Sequence, residues 1–94
     1  MVSGMFQITD RGITSDEGYT VYTIDREFLR YSDTCGSLTL AYDVDLGREV
    51  MLIHLSGAGH WDDTRQRISD AEKAILQERL GQAYDFIHTQ TEFD

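Results

Sequence analysis

The chain reads as an α+β domain: an antiparallel sheet of about four to six strands, one long helix over residues 69–87 packed on one face, and a short strand after it. Three observations predict this. SDAEKAILQERLGQAYDFI, from Ser69 to Ile87, is the only long stretch with helical periodicity. Everything before it falls into short runs of β-branched and aromatic residues divided by polar, glycine-containing turns. A helix with one apolar face cannot bury that face alone and needs a sheet beneath it. Ninety-four residues make one core, hence a single domain over 1–94.

Taken in order, Met5 to Thr9 is a first strand, and DRGITSDEG (10–18) is a loop or hairpin connection. YTVYTI (19–24) is a strand with Tyr19, Val21 and Thr23 on one face and Thr20, Tyr22 and Ile24 on the other. Asp25 to Glu27 turn the chain, and Phe28, Leu29 and Tyr31 form a short strand or packed turn. SDTCG (32–36) is a turn. Ser37 to Asp43 and Glu49 to Leu55 make an antiparallel hairpin closed by VDLG (44–47). The second of these strands, EVMLIHL, is apolar on both faces and belongs in the centre of the sheet. Ser56 to Arg67 is a long polar connection interrupted by Trp61. A tryptophan just before a helix either plugs the core or anchors a partner; the plug is preferred because a lone Trp in a small domain buries most of its area.

Ser69 and Glu72 form an S-x-x-E capping box, and Asp70 and Glu72 place negative charge where the helix dipole favours it. Ala71, Ile75, Leu76, Leu80, Ala83, Tyr84 and Ile87 recur at three- and four-residue steps and define the buried face. Asp70, Gln77, Glu78, Gly81 and Asp85 fall on the other. Gly81 costs about 1 kcal/mol against Ala, so it permits a close contact or is simply tolerated. Glu72 and Arg79 lie on one line through the apolar stripe, either as a polar network or, preferred here, as a cap and a snorkelling head group. His88 to Phe93 alternates as a terminal edge strand does.

Seventeen acids against eight bases give a net charge of −9. That field repels nucleic acid, whose phosphates need clustered Lys and Arg. It suits solubility or a basic protein partner. No run approaches the roughly 20 apolar residues of a membrane span. MVSGMFQITDR has neither the basic start nor the apolar core of a secretory leader, so a cytoplasmic location is expected. Cys35 has no second cysteine to pair with.

Residues that carry chemistry elsewhere lack their usual context. His54, His60, Asp62 and Asp63 match no metal-ligand spacing, and no metal or other cofactor is expected. Cys35 sits beside Asp33, Thr34 and Gly36, none of which lowers a thiol pKa. DVDLG (43–47) lacks the closing Glu of a calcium loop, and SGAG (56–59) lacks the Lys of a phosphate loop. The loop side chains Asp16, Glu17, His60, Trp61, Asp62 and Asp63 are the candidate partner-binding residues, because loops present side chains freely.

From roughly Phe28 onward the layout resembles that of small immunity proteins of bacterial toxin–immunity systems. The matching parts are FLRY (28–31), MLIHL (51–55), Trp61-Asp62, Ile68-Ser69 followed by AEKAIL (71–76), and AYDF (83–86) before a last strand. The chain departs from that layout in having no proline after Trp61. The resemblance implies an α+β domain that binds and neutralises a cognate toxin, and it carries over no catalytic residue. The sequence therefore favours non-catalytic binding of a basic protein. The alternatives are a small enzyme or ligand-binding domain using residues 54–63, and a homo-oligomeric module assembled through an edge strand.

Overall fold

A computed structural model describes residues 5–94, so the first four residues of MVSGMFQITDR, the segment on which the expected location rests, lie outside the described residues. The class is α+β. Among the described residues seven strands, rather than four to six, form one curled sheet in sequential order, and a single helix lies against it.

The strands are β1 (Phe6–Thr9), β2 (Gly12–Ser15), β3 (Thr20–Thr23), β4 (Phe28–Ser32), β5 (Ser37–Asp45), β6 (Val50–Ile53) and β7 (Gln90–Phe93). The extra strand comes from 10–18, where β2 pairs antiparallel with both β1 and β3. Its tight approach to β3 explains Gly12: a Cβ there would stand 2.4 Å from the Val21 carbonyl oxygen, and its φ is +106°. Residues 28–32 are a full strand, with Leu29 and Tyr31 buried. β5 runs two residues further than the alternation indicated, so the hairpin turn falls at 46–49 and β6 begins at Val50. Its first half pairs with β4 and its second half with β6, which makes it the pivot of the curl.

β6 lies between β5 and β7, as its two apolar faces demand. β7 is the terminal edge strand and runs parallel to β6, because the chain crosses over through the helix before returning. The sheet is therefore mixed rather than wholly antiparallel.

Helix α1 spans Asp70–Phe86. Ser69 accepts from the Glu72 N–H while Glu72 accepts from the Ser69 N–H, so both halves of the capping box are present. At the other end Thr89 and His88 donate to the Tyr84 and Asp85 carbonyls, a Schellman closure with His88 at φ +61°. The buried stripe is narrower than the sequence indicated. Leu76, Leu80, Ala83 and Tyr84 are buried, whereas Ala71 and Ile87 are exposed and Ile75 is 48% exposed. At about 100° per residue Ile75 projects a quarter-turn away from Leu76, past the edge of the contact. Glu72 and Arg79 occupy the margin instead. Gly81 is half-buried rather than facing solvent, yet a Cβ there would reach only Thr91 Oγ1, at 3.8 Å. It is tolerated, not required.

The core joins this stripe to the inward residues Tyr19, Val21, Leu29, Tyr31, Leu38, Leu40 and Ile53, with Trp61 and Ile68 closing one end. No helix among the described residues is long and apolar enough to cross a membrane.

Candidate functional site

The antiparallel order puts the β2–β3 turn and the β4–β5 turn at one end of the sheet. The loop before the helix is fastened to the same end. Asp62 donates its N–H to the Ser37 carbonyl (2.8 Å), and Asp63 Oδ1 accepts from the Ser37 N–H (3.0 Å). Four of the six predicted partner-binding side chains, Asp16, Glu17, Asp62 and Asp63, are exposed at this end. His60 is exposed on the same loop, in a two-residue bridge with Arg67. The Ser37 N–H holds the Asp63 carboxyl below its ordinary pKa. Among the described residues none of these four carboxylates is in a salt bridge.

Trp61 lies beneath this surface, not on it. It is 3% exposed, its ring centroid is 6.2 Å from that of Tyr31, and Tyr31 stacks on Tyr19 at 5.8 Å. The loop settles onto this ring row because residue 36 is glycine: a Cβ there would come within 2.7 Å of Asp63 Oδ1 and 3.4 Å of the Trp61 ring. Trp61 is thus the core plug, and its part in any binding is to hold Asp62 and Asp63 in place.

Beside the ring row lies a polar cluster in which Arg79 does not snorkel. Arg79 Nη1 donates to the Tyr31 hydroxyl (2.6 Å) and to Asp33 Oδ2 (3.2 Å), and its guanidinium carbon stands 4.8 Å from the Tyr19 ring centroid. Tyr31 donates in turn to Asp33 Oδ2 (2.5 Å). Asp33 Oδ1 accepts from the Cys35 and Gly36 N–H groups, an Asx turn. Burial, then the Asp33 carboxylate, raises the Tyr31 pKa well above that of a free phenol. Glu72, at the same edge, is held low first by the Ser69 N–H, with the Trp61 indole adding to it. Tyr31, Asp33, Cys35, Trp61, Glu72 and Arg79 line a cleft of about 150 Å³. That is below the roughly 300–1,000 Å³ of small-molecule sites. Asp33, which accepts from the Cys35 backbone N–H, places negative charge beside Cys35 rather than the positive charge that activates a thiol. The cluster locks helix to sheet. The Tyr19 hydroxyl is buried with no hydrogen-bond partner among the described residues, and burial raises its pKa.

Sequence reasoning missed Asp33. The Asx turn was legible in S-D-T-C-G, but nothing in the sequence pairs it with Arg79, 46 residues on.

His54 is remote in role from His60. Its Nδ1 lies 2.6 Å from Asp94 Oδ2 and its Nε2 2.7 Å from Asp43 Oδ2. The two carboxylates sit at opposite ring edges and do not converge on a point, as metal ligands must. Among the described residues no group of three or more His, Cys, Asp and Glu side chains is arranged to hold a metal ion. The hydrogen bonds to Asp94 and then Asp43 raise the His54 pKa, and His54 lowers that of Asp94.

The chain matches no family model, and neither a curated protein nor a solved structure is recognisably similar to it.

Proposed function

We propose that this chain is a non-catalytic protein-binding domain whose partner is basic. The observation that carries the reading is the gathering of Asp16, Glu17, Asp62 and Asp63, exposed and outside any salt bridge among the described residues, at one end of a sheet whose chain bears nine excess negative charges. Fixed loops present these carboxylates, so a cationic partner meets an already ordered surface. The resemblance of the second half to small immunity proteins makes a cognate toxin the specific partner to look for. The Arg79–Tyr31–Asp33 cluster serves the fold and takes no chemical role.

The test is capture of the partner from the native host, followed by binding of a variant carrying Asp16→Asn, Glu17→Gln, Asp62→Asn and Asp63→Asn. The amide oxygen introduced by Asp63→Asn keeps an acceptor for the Ser37 N–H, so the fold is retained. Association should slow by roughly tenfold or more, as loss of complementary charge does. An unchanged association rate in a variant with native circular dichroism overturns the reading.

A further inference from the structure

The opposite end of the molecule carries a second feature, unrelated to the acidic loops. Between the β5–β6 turn and the C-terminus of α1 lies an open hollow of about 540 Å³. Val44, Leu46, Val50, Met51, Tyr84 and Ile87 give it an apolar lining. Three of them face solvent: Leu46 is 85% exposed, Val44 52% and Ile87 37%. Leu46 sits at a turn that is otherwise polar, where Asp45 Oδ1 accepts from the Gly47 and Arg48 N–H groups. An exposed leucine and valine beside a concave apolar floor form the core-and-rim pattern of a contact surface.

The surroundings define the charge of what fits. α1 ends at this hollow with no basic residue in its last turn, so no side-chain cation there offsets the negative end of its dipole, although the Ile87, His88 and Thr89 N–H groups satisfy the Tyr84 and Asp85 carbonyls. Among the charged residues lining the hollow, Glu49 is in no salt bridge among the described residues, whereas Arg48 is paired with Glu92. With Arg48 paired, a cation flanking an apolar side chain gains from both the Glu49 carboxylate and the helix end.

We infer that the hollow seats an apolar anchor, a leucine-like or phenylalanine-like side chain flanked by Lys or Arg, from a basic protein partner. This rests on the protein-binding reading and adds where the partner's short-range contact falls. The acidic loops at the far end then act on the encounter, and the hollow acts on the lifetime of the complex, since short-range packing governs dissociation.

The probe is a blocked helical peptide with leucines on one face and lysines on the other, titrated into the isotopically labelled full chain and followed by NMR. Two control peptides carry Glu for Lys, or Ser for Leu. Amide shifts should centre on Val44, Leu46, Ile87 and His88. Leu46→Ser and Val44→Ser should each weaken binding by about tenfold, as loss of an anchor contact does. Ile8→Ser, equally surface-disposed at 69% exposure but on β1, should not. Both control peptides should bind far more weakly. Shifts confined to Asp16, Glu17, Asp62 and Asp63 would overturn the hollow while leaving the protein-binding reading intact. Absence of shifts at the hollow at millimolar peptide would overturn it as well, and the native partner's response to the four-carboxylate variant would still judge the broader reading. Self-association abolished by Leu46→Ser would assign the hollow to a second copy of the chain and overturn a basic partner as its occupant.

Discussion

Arg79 reaches Asp33 both directly and through the Tyr31 hydroxyl, so that phenol is one of the polar ties between helix and sheet. Tyr31→Phe removes one donor and one acceptor and leaves the ring stack with Tyr19 and Trp61 in place. It should cost about 1–3 kcal/mol in urea denaturation, the range for losing buried hydrogen bonds to charged groups. Tyr22→Phe, at a 44% exposed ring, should change stability by less than about 0.5 kcal/mol. Equal effects would mean the Tyr31 hydroxyl is not engaged. His54 offers a second residue-scale test through pH. Its pKa is raised by Asp94 and Asp43, so its contribution is fully present below its ordinary value of 6.5 and is lost as pH rises through the raised value. Asp94 is lowered, so its share is present above its ordinary 3.8 and lost as pH falls through its folded value. Between those limits the tie is whole. Thermal scans should show stability falling as pH rises from about 6.5, with that part of the fall absent in His54→Asn; the same slope in both proteins would show that His54 does not titrate against these carboxylates. In the sequence His54 reads as a residue of the strand 49–55, whereas β6 ends at Ile53 and His54 follows it, and Asp94, 40 positions away, gave no sign of the pairing.

At the scale of elements, the helix contact is the sharpest case. Leu80→Ala should destabilise by about 2–5 kcal/mol, the range for a buried large-to-small change, because Leu80 is fully buried. Ile75→Ala should cost well under about 1 kcal/mol despite its place in the apolar run, and Gly81→Ala should stabilise by about 0.5–1 kcal/mol through helix propensity. Chemical denaturation of the three variants checks the order; Ile75→Ala as costly as Leu80→Ala would mean that the helix is rotated on the sheet. The helix ends were legible because caps are local chemistry: Ser69 and Glu72 stand three residues apart. The width of the buried face was not, since it depends on how far the curled sheet wraps the helix. Likewise β2 was obscured within DRGITSDEG, where only Ile13 announces a core position. The parallel pairing of β6 with β7 follows from the crossover and leaves no mark in β7's own alternation.

For the molecule as a whole, the exposed loop acids Asp16, Glu17, Asp62 and Asp63 lie at one end and the apolar hollow at the other. The net charge was readable from composition, and the clustering of the loop acids follows once the strands are known to lie in sequential order. The hollow was not readable, because Val44, Leu46 and Ile87 come from two distant elements and each passes singly for an ordinary strand, turn or helix residue. Such a division predicts that charge controls encounter and packing controls lifetime. At physiological salt the reach of an exposed charge is about 8 Å, and it grows to about 30 Å at 0.01 M. The most direct test is stopped-flow binding of the captured partner at low and high salt. The association rate should fall by about tenfold or more as salt rises, while the dissociation rate changes much less. An association rate independent of salt would contradict the proposal, because the acidic end would then have no part in binding.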